Sequence, residues 1–128
     1  MDQDTTSPIL QIAALTIDCP DPAPMAAFYA QALGGTITLQ DDTGAQVRLG
    51  DGQLLLFRRV VEYRPPTWPS PQVPLQFHFE YYVDQVNLAE IQLQQLGATT
   101  AEFQDKDDPD LTVMLDPAGH PFCIIKRP

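Results

Sequence analysis

From Leu10 to Cys19 the chain alternates: Ala13, Leu15, Ile17 and Cys19 fall on one face and Ile12, Ala14, Thr16 and Asp18 on the other, the two-residue period of a strand with two different sides. The period then changes. Asp21 followed by Pro22 is a helix start, because the carboxylate accepts from an orphan N–H and proline at the first helical position forfeits no bond. Met25, Phe28, Tyr29 and Ala32 or Leu33 recur at helical spacing up to Gly34-Gly35, whose tolerance of positive φ ends the helix. Thr36 to Gln40, Ala45 to Leu49 and Gln53 to Val60 then read as three short strands, parted by the turn clusters Asp41-Asp42-Thr43-Gly44 and Gly50-Asp51-Gly52. The order is β, α, β, β, β.

Residues 62 to 74, EYRPPTWPSPQVP, hold five of the thirteen prolines and predict a stiff connector, since proline fits neither a helix interior nor a central strand. Alternation resumes from Leu75 to Val83, with Leu75, Phe77, Phe79, Tyr81 and Val83 opposite Gln76, His78, Glu80 and Tyr82. Asp84 is the expected cap of a second helix, in which Val86, Ala89, Leu93 and Leu96 share a stripe and Gly97 closes the end. Thr99 to Phe103, Leu111 to Leu115 and Pro121 to Lys126 give three more strands. Leu33-Gly34-Gly35-Thr36 matches Leu96-Gly97-Ala98-Thr99 at an offset of 63, which also sets Asp21 on Asp84; an internal duplication explains this. Residues 1 to 8 read as a disordered leader, and 9 to 128 as one domain: module one at 9–61, the connector at 62–74 and module two at 75–128.

At 128 residues the chain has room for one core, and 44% apolar against 19% charged residues is neither a disordered nor a membrane composition. Seventeen acidic and seven basic residues give a net charge of −10, which disfavours nucleic acid and anionic membranes as partners. No apolar stretch approaches the ~20 residues a bilayer requires. The expected setting is the cytoplasm, with Cys19 and Cys123 as reduced thiols.

The strand leading to Asp21, Phe28-Tyr29 and LGG, the later HFEYYVDQV and the closing DPAGHPF together resemble the glyoxalase, bleomycin-resistance and extradiol-dioxygenase superfamily, the vicinal oxygen chelate proteins. More narrowly, EYRPPTWPSP, LQFHFE and DPAGHPFC are similar to small glyoxalase-like domains. The resemblance spans Ile9 to Lys126. It implies an α+β fold of two βαβββ modules in a curved half-open barrel, helices outside, around one cleft. It also implies a homodimer and a small-molecule ligand. Enzymes of the superfamily hold a divalent metal (Zn, Ni, Fe or Mn) with ligands on the first and last strands of both modules. Carried over one at a time, those positions fall on Ala14 and on Leu55 or Leu56, which lack donor atoms, on His78, which matches, and on Cys123, where Glu is usual.

The resemblance therefore implies a binding domain whose metal site is degenerate. The alternative is a metal-dependent lyase or isomerase of glyoxalase I type, or a related dioxygenase. His78 is the leading candidate, as metal ligand or proton carrier, with Glu80 beside it on the same face as the group that moves a proton; a hydrogen-bonded histidine without chemistry is the plain alternative. Trp68, Tyr82, Cys123, Asp18 and Arg58 are the candidate ligand-binding residues. Trp68 is either a wall of the cleft or a packed lid, Asp18 either lines the cleft or caps the strand end, and Arg58 either grips an anion or pairs on the surface. Cys123 is expected to face His78, whose positive form would favour a thiolate. His120 reads as a turn residue ahead of the last strand.

Overall fold

The computed structural model describes residues 8–128, so the expected leader lies, apart from Pro8, outside the described residues. Two modules follow one another: β1 (Leu15–Cys19), α1 (Pro22–Leu33), β2 (Thr36–Gln40), β3 (Gly44–Arg48) and β4 (Leu54–Arg59), then β5 (Glu80–Val83), α2 (Val86–Leu96), β6 (Thr99–Thr100), β7 (Leu111–Leu115) and β8 (Pro121–Lys126). Each builds a curved, four-stranded mixed sheet, in the orders β1-β4-β3-β2 and β5-β8-β7-β6. The two sheets do not close into a barrel. In each module the first strand runs parallel to the last, and the remaining pairs are antiparallel.

Helix α1 starts as its sequence dictates. The Asp21 carboxylate accepts from the N–H of Ala23 at 3.3 Å, and Gly34 ends the helix at φ 72 while its N–H bonds to the carbonyl of Ala30. Met25, Ala26, Phe28 and Tyr29 point inward and meet Phe57, Phe122 and Ile124 in a shared core, where Tyr29 stacks on Phe57 with ring centroids 5.4 Å apart. Burying a side chain as large as Phe57 or Phe122 stabilises the fold by about 1.5–3 kcal/mol.

Four boundaries differ from the sequence pattern, each for a local reason. β1 begins at Leu15 rather than Leu10, because its partner β4 begins at Leu54 and the ladder runs from Leu15–Leu55 to Cys19–Arg59. β5 begins at Glu80 rather than Leu75, because its ladder on β8 opens at Glu80–Cys123 and two positions upstream β8 offers Pro121, which has no N–H to donate. β6 stops at Thr100: beyond it the Ala101 N–H still reaches the Val113 carbonyl at 3.0 Å, but the side chain of Gln104 shares that carbonyl, donating from Nε2 at 2.8 Å, and accepts the Val113 N–H at 2.9 Å. Finally, Gln85 rather than Asp84 occupies the cap position of α2, without a side-chain bond, and Asp84 pairs with Arg127 at 3.1 Å instead. Since α1 has 12 residues and α2 has 11, the repeat offset is 64 at the helix starts and 63 at their ends.

Candidate functional site

Between strand β1 and the extended segment before β5 lies a cavity of about 410 Å³, lined by residues 15–18, Tyr29, Pro66, residues 74–79, Asp116, His120 and Pro121. Its position follows from topology. β1 and β5 are both edge strands of their sheets, and residues 74–78 run toward β5 ahead of its first main-chain bond to β8, from the Cys123 N–H to the Phe79 carbonyl, leaving space beside β1 into which mostly apolar side chains face. The polar side chains that line it include Asp18, His78, Tyr29, Asp116 and His120.

Asp116 is the buried charged residue of the core, 4% exposed. Its carboxylate accepts from the Tyr29 hydroxyl at 2.6 Å, from the N–H groups of Ala118 and His120 at 2.9 and 3.0 Å, and from Nδ1 of His120 at 3.0 Å. The other ring nitrogen of His120, Nε2, lies 3.1 Å from the Tyr63 hydroxyl. Burial first, and then the Asp116 carboxylate, push the phenols of Tyr29, Tyr63 and Tyr81 above their ordinary range. All three stay neutral, and among the described residues the buried Tyr81 hydroxyl has no hydrogen-bond partner.

His78 borders this cavity and a second group of donors. Its Nε2 lies 3.2 Å from Glu80 Oε2, Glu80 sits opposite Cys123 in the β5–β8 register, and the nitrogen, oxygen and sulfur of the three residues lie within 4.8 Å of one another. Cys123, 9% exposed, packs with Ala101 and Val113 under Trp68, which meets Phe103 edge to face at 5.4 Å. The Pro-rich connector thus packs Trp68 against the small apolar cluster that contains Cys123.

The expected site residues are therefore divided between these places. His78 and Asp18 line the cavity. Glu80 and Cys123 stand beside His78 in the donor group, and Trp68 packs against the cluster that contains Cys123. Tyr82 is exposed, with the Arg127 guanidinium 5.8 Å from its ring centre. Arg58 forks onto Asp18, its Nε and Nη2 3.0 and 3.1 Å from the two carboxylate oxygens, so its donors are engaged within the protein. The expected thiolate at Cys123 is opposed by its surroundings: burial and then the Glu80 carboxylate push the thiol up. Cys19, buried behind β1, is pushed up to about 11 by burial, then by Asp116 and Asp21. Both cysteines are free. Asp116, Tyr63 and His120 as a connected group escaped the sequence reading, in which His120 is a turn residue. The signal was a polar tip on Tyr29, within an otherwise apolar helix stripe, with no partner in its own module.

Residues 14–125 match the family described as glyoxalase-like domain. No curated protein matches the chain. Among solved structures, a glyoxalase-related enzyme from Fulvimarina pelagi is 18% identical and superposes with a TM-score of 0.65 over 94% of this chain and 90% of its own. Lactoylglutathione lyase from Agrobacterium tumefaciens is 21% identical, with a TM-score of 0.58 over 94% and 96%. An antibiotic binding protein from Streptomyces sp. CB03234 is 15% identical, with a TM-score of 0.53 over 95% and 100%. At these identities the likeness is one of fold.

Proposed function

Because this chain belongs to the glyoxalase-like domain family, we propose that it is a small-molecule-binding protein whose ligand occupies the cavity between β1 and residues 74–79. The cavity carries this reading. Its volume of about 410 Å³ lies within the ~300–1,000 Å³ of small-molecule sites, and apolar walls with a few convergent polar groups are what such sites offer. A compact aromatic or apolar metabolite fits, with Asp18 and His78 among the polar groups that line the space. Trp68, Tyr82, Cys123 and Arg58 then serve as surrounding structure, holding the connector, the second sheet and the Asp18 carboxylate in position. Isothermal titration with 4-nitroanisole, a neutral aromatic probe, tests this: saturable binding at one site per chain is expected, and it is lost in an Ile17→Trp variant that fills the space. Equal binding to the filled variant overturns the reading.

A second reading rests on His78, Glu80 and Cys123. Nitrogen, oxygen and sulfur donors within 4.8 Å fit the three protein ligands of an open zinc site, and these residues would hold a divalent ion. Bound there, the ion would supply Lewis-acid polarisation of a substrate oxygen; without it, Glu80 orients His78 for proton transfer. Elemental analysis of protein purified without chelators separates the readings. One ion per chain, lost in His78→Ala, replaces the binding reading with a metal-dependent lyase or isomerase.

A homodimer is part of the proposal. Ile9, Leu10, Ile12, Val61 and Phe77 are 83–98% exposed, and a second copy would remove these side chains from water; sedimentation as a monomer at micromolar concentration removes it. No helix among the described residues is long and apolar enough to cross a membrane, and the two free thiols favour a reducing compartment such as the cytoplasm.

A further inference from the structure

Two segments carry the alternation of a strand and have no strand beside them. Residues 9–14 run into β1 and residues 74–78 run into β5, and both of those strands are the edges of their sheets. Among the described residues, neither segment makes a main-chain hydrogen bond. Their backbones are nevertheless suited to a ladder. In a chain with thirteen prolines, none falls within residues 9–19 or 75–83, so every position there has an N–H to donate.

The cavity is open to solvent between the same two segments. Phe77 and Leu15 both line it, yet Phe77 is 90% exposed and Leu15 39%. Ile9, Leu10 and Ile12, in water at 83–98% exposure, lie outside the lining. Leu10 and Ile12 are two positions apart and so share one side of an extended chain. Charge narrows the choice of occupant. At a net charge of −10 two copies repel each other over most of their surfaces, but residues 8–17 and 65–79 contain no Asp, Glu, Lys or Arg. The approach of one copy to another is least opposed where these segments meet. An apolar edge without charge or proline is also the kind that takes up a strand from another chain.

We propose that residues 9–13 of a second copy add as a strand beside residues 74–78 and close the cavity, with Leu10 and Ile12 of the partner subunit covering Phe77 and Leu15. The exchange is reciprocal: about a two-fold axis each copy gives its arm and receives the other's, so a single interface closes both cavities. The chain's own arm is not the occupant, because it leads directly into Leu15 at the border of the cavity and its side chains stay in water. A ligand in the cavity then meets apolar groups from two chains, and its binding strengthens the dimer by mass action.

Arm exchange rests on the homodimer and cavity readings given above, and the tests keep the three apart. Leu10→Asp/Ile12→Asp changes two exposed side chains outside the core, so the fold is kept. Wild type is expected to sediment as a dimer at micromolar concentration and to dimerise more tightly with 4-nitroanisole present. The aspartate variant is expected to sediment as a monomer with its 4-nitroanisole affinity reduced several-fold. In Leu10→Cys/Phe77→Cys, a short bismaleimide is expected to bridge the new thiols between chains, and a mixture of the two single variants is expected to give the same bridged dimer. A dimer that survives the aspartates overturns arm exchange and leaves the homodimer standing, and so does a bridge formed within one chain. Loss of the dimer with 4-nitroanisole affinity unchanged overturns closure of the cavity. A monomeric wild type removes homodimer and arm exchange together. If wild type does not bind 4-nitroanisole, the cavity reading falls and the bridging result decides arm exchange by itself.

Discussion

The two modules have the same strand order and parallel register, yet their equivalent positions have diverged in opposite directions. Thr16 stands five residues before the cap Asp21 and pairs with Leu56; Glu80 stands five before the cap Gln85 and pairs with Cys123. The duplication therefore sets Ala14, Thr16 and Leu56 of module one against His78, Glu80 and Cys123 of module two. Module one has no imidazole, carboxylate or thiol at these positions, while module two has one of each. Conversely, Asp18 and Arg58 of module one, a forked ion pair, correspond to Tyr82 and Ile125 of module two. One backbone plan supports either a surface charge pair or a cluster of metal-type donors, because in a strand ladder the side chains are set by register and the backbone bonds are indifferent to them.

The sharpest break between modules is at the turn before each last strand. Asp51, in the β3–β4 turn, is exposed and accepts one N–H, from Gln53 at 3.0 Å. Asp116, in the β7–β8 turn, is buried beneath Tyr29 and His120. Asp116→Ala is expected to cost roughly 3 kcal/mol, because it strands the Tyr29 hydroxyl and two turn N–H groups away from water, whereas Asp51→Ala is expected to stay within about 0.5 kcal/mol. Urea denaturation of the two variants checks it, and similar losses would erase the contrast.

A smaller effect distinguishes the cysteines. Cys19 of module one rises from 9.0 to about 11 in the folded protein, so the fold favours its neutral thiol. The stability this represents is intact below pH 9 and is lost as the pH climbs toward 11, on the order of 2 kcal/mol by proton linkage. In Cys19→Ala the decline across that interval is expected to shrink by this amount, and identical pH profiles for variant and wild type would contradict it. Cys123 of module two is also raised, with the Glu80 carboxylate second to burial among the causes. Both thiols are then expected to label slowly with iodoacetamide at neutral pH, with Glu80→Gln modestly accelerating Cys123 alone. A fast Cys123 in the native wild type would restore the thiolate that its surroundings oppose.

Much of this was legible in the residues. Asp21-Pro22 and Gly34 mark α1 because capping is local chemistry, and the duplicated LG-T signature exposes the second module. Periodicity overran at Leu10 to Ala14 and Leu75 to Phe79, since alternation records which faces differ and says nothing of whether a neighbouring strand is present to bond. His78, Glu80 and Cys123 were readable as a group because two share a strand face and the third follows from a resemblance. The bond from Tyr29 to Asp116 spans 87 residues, and no local pattern encodes it.

The connector gives the cavity a kinetic character. Its wall between Pro74 and Phe79 is tied to β8 at its end, where the Phe79 carbonyl accepts from the Cys123 N–H at 2.9 Å, so in the proposed reading ligand exchange follows displacement of the segment ahead of Phe79 rather than unfolding of either module. Residence time then becomes a property of prolines: five of them within residues 62–74 restrict the backbone excursions that would release the ligand. Loosening any one of them shortens the complex's lifetime before it alters the number of contacts the ligand makes.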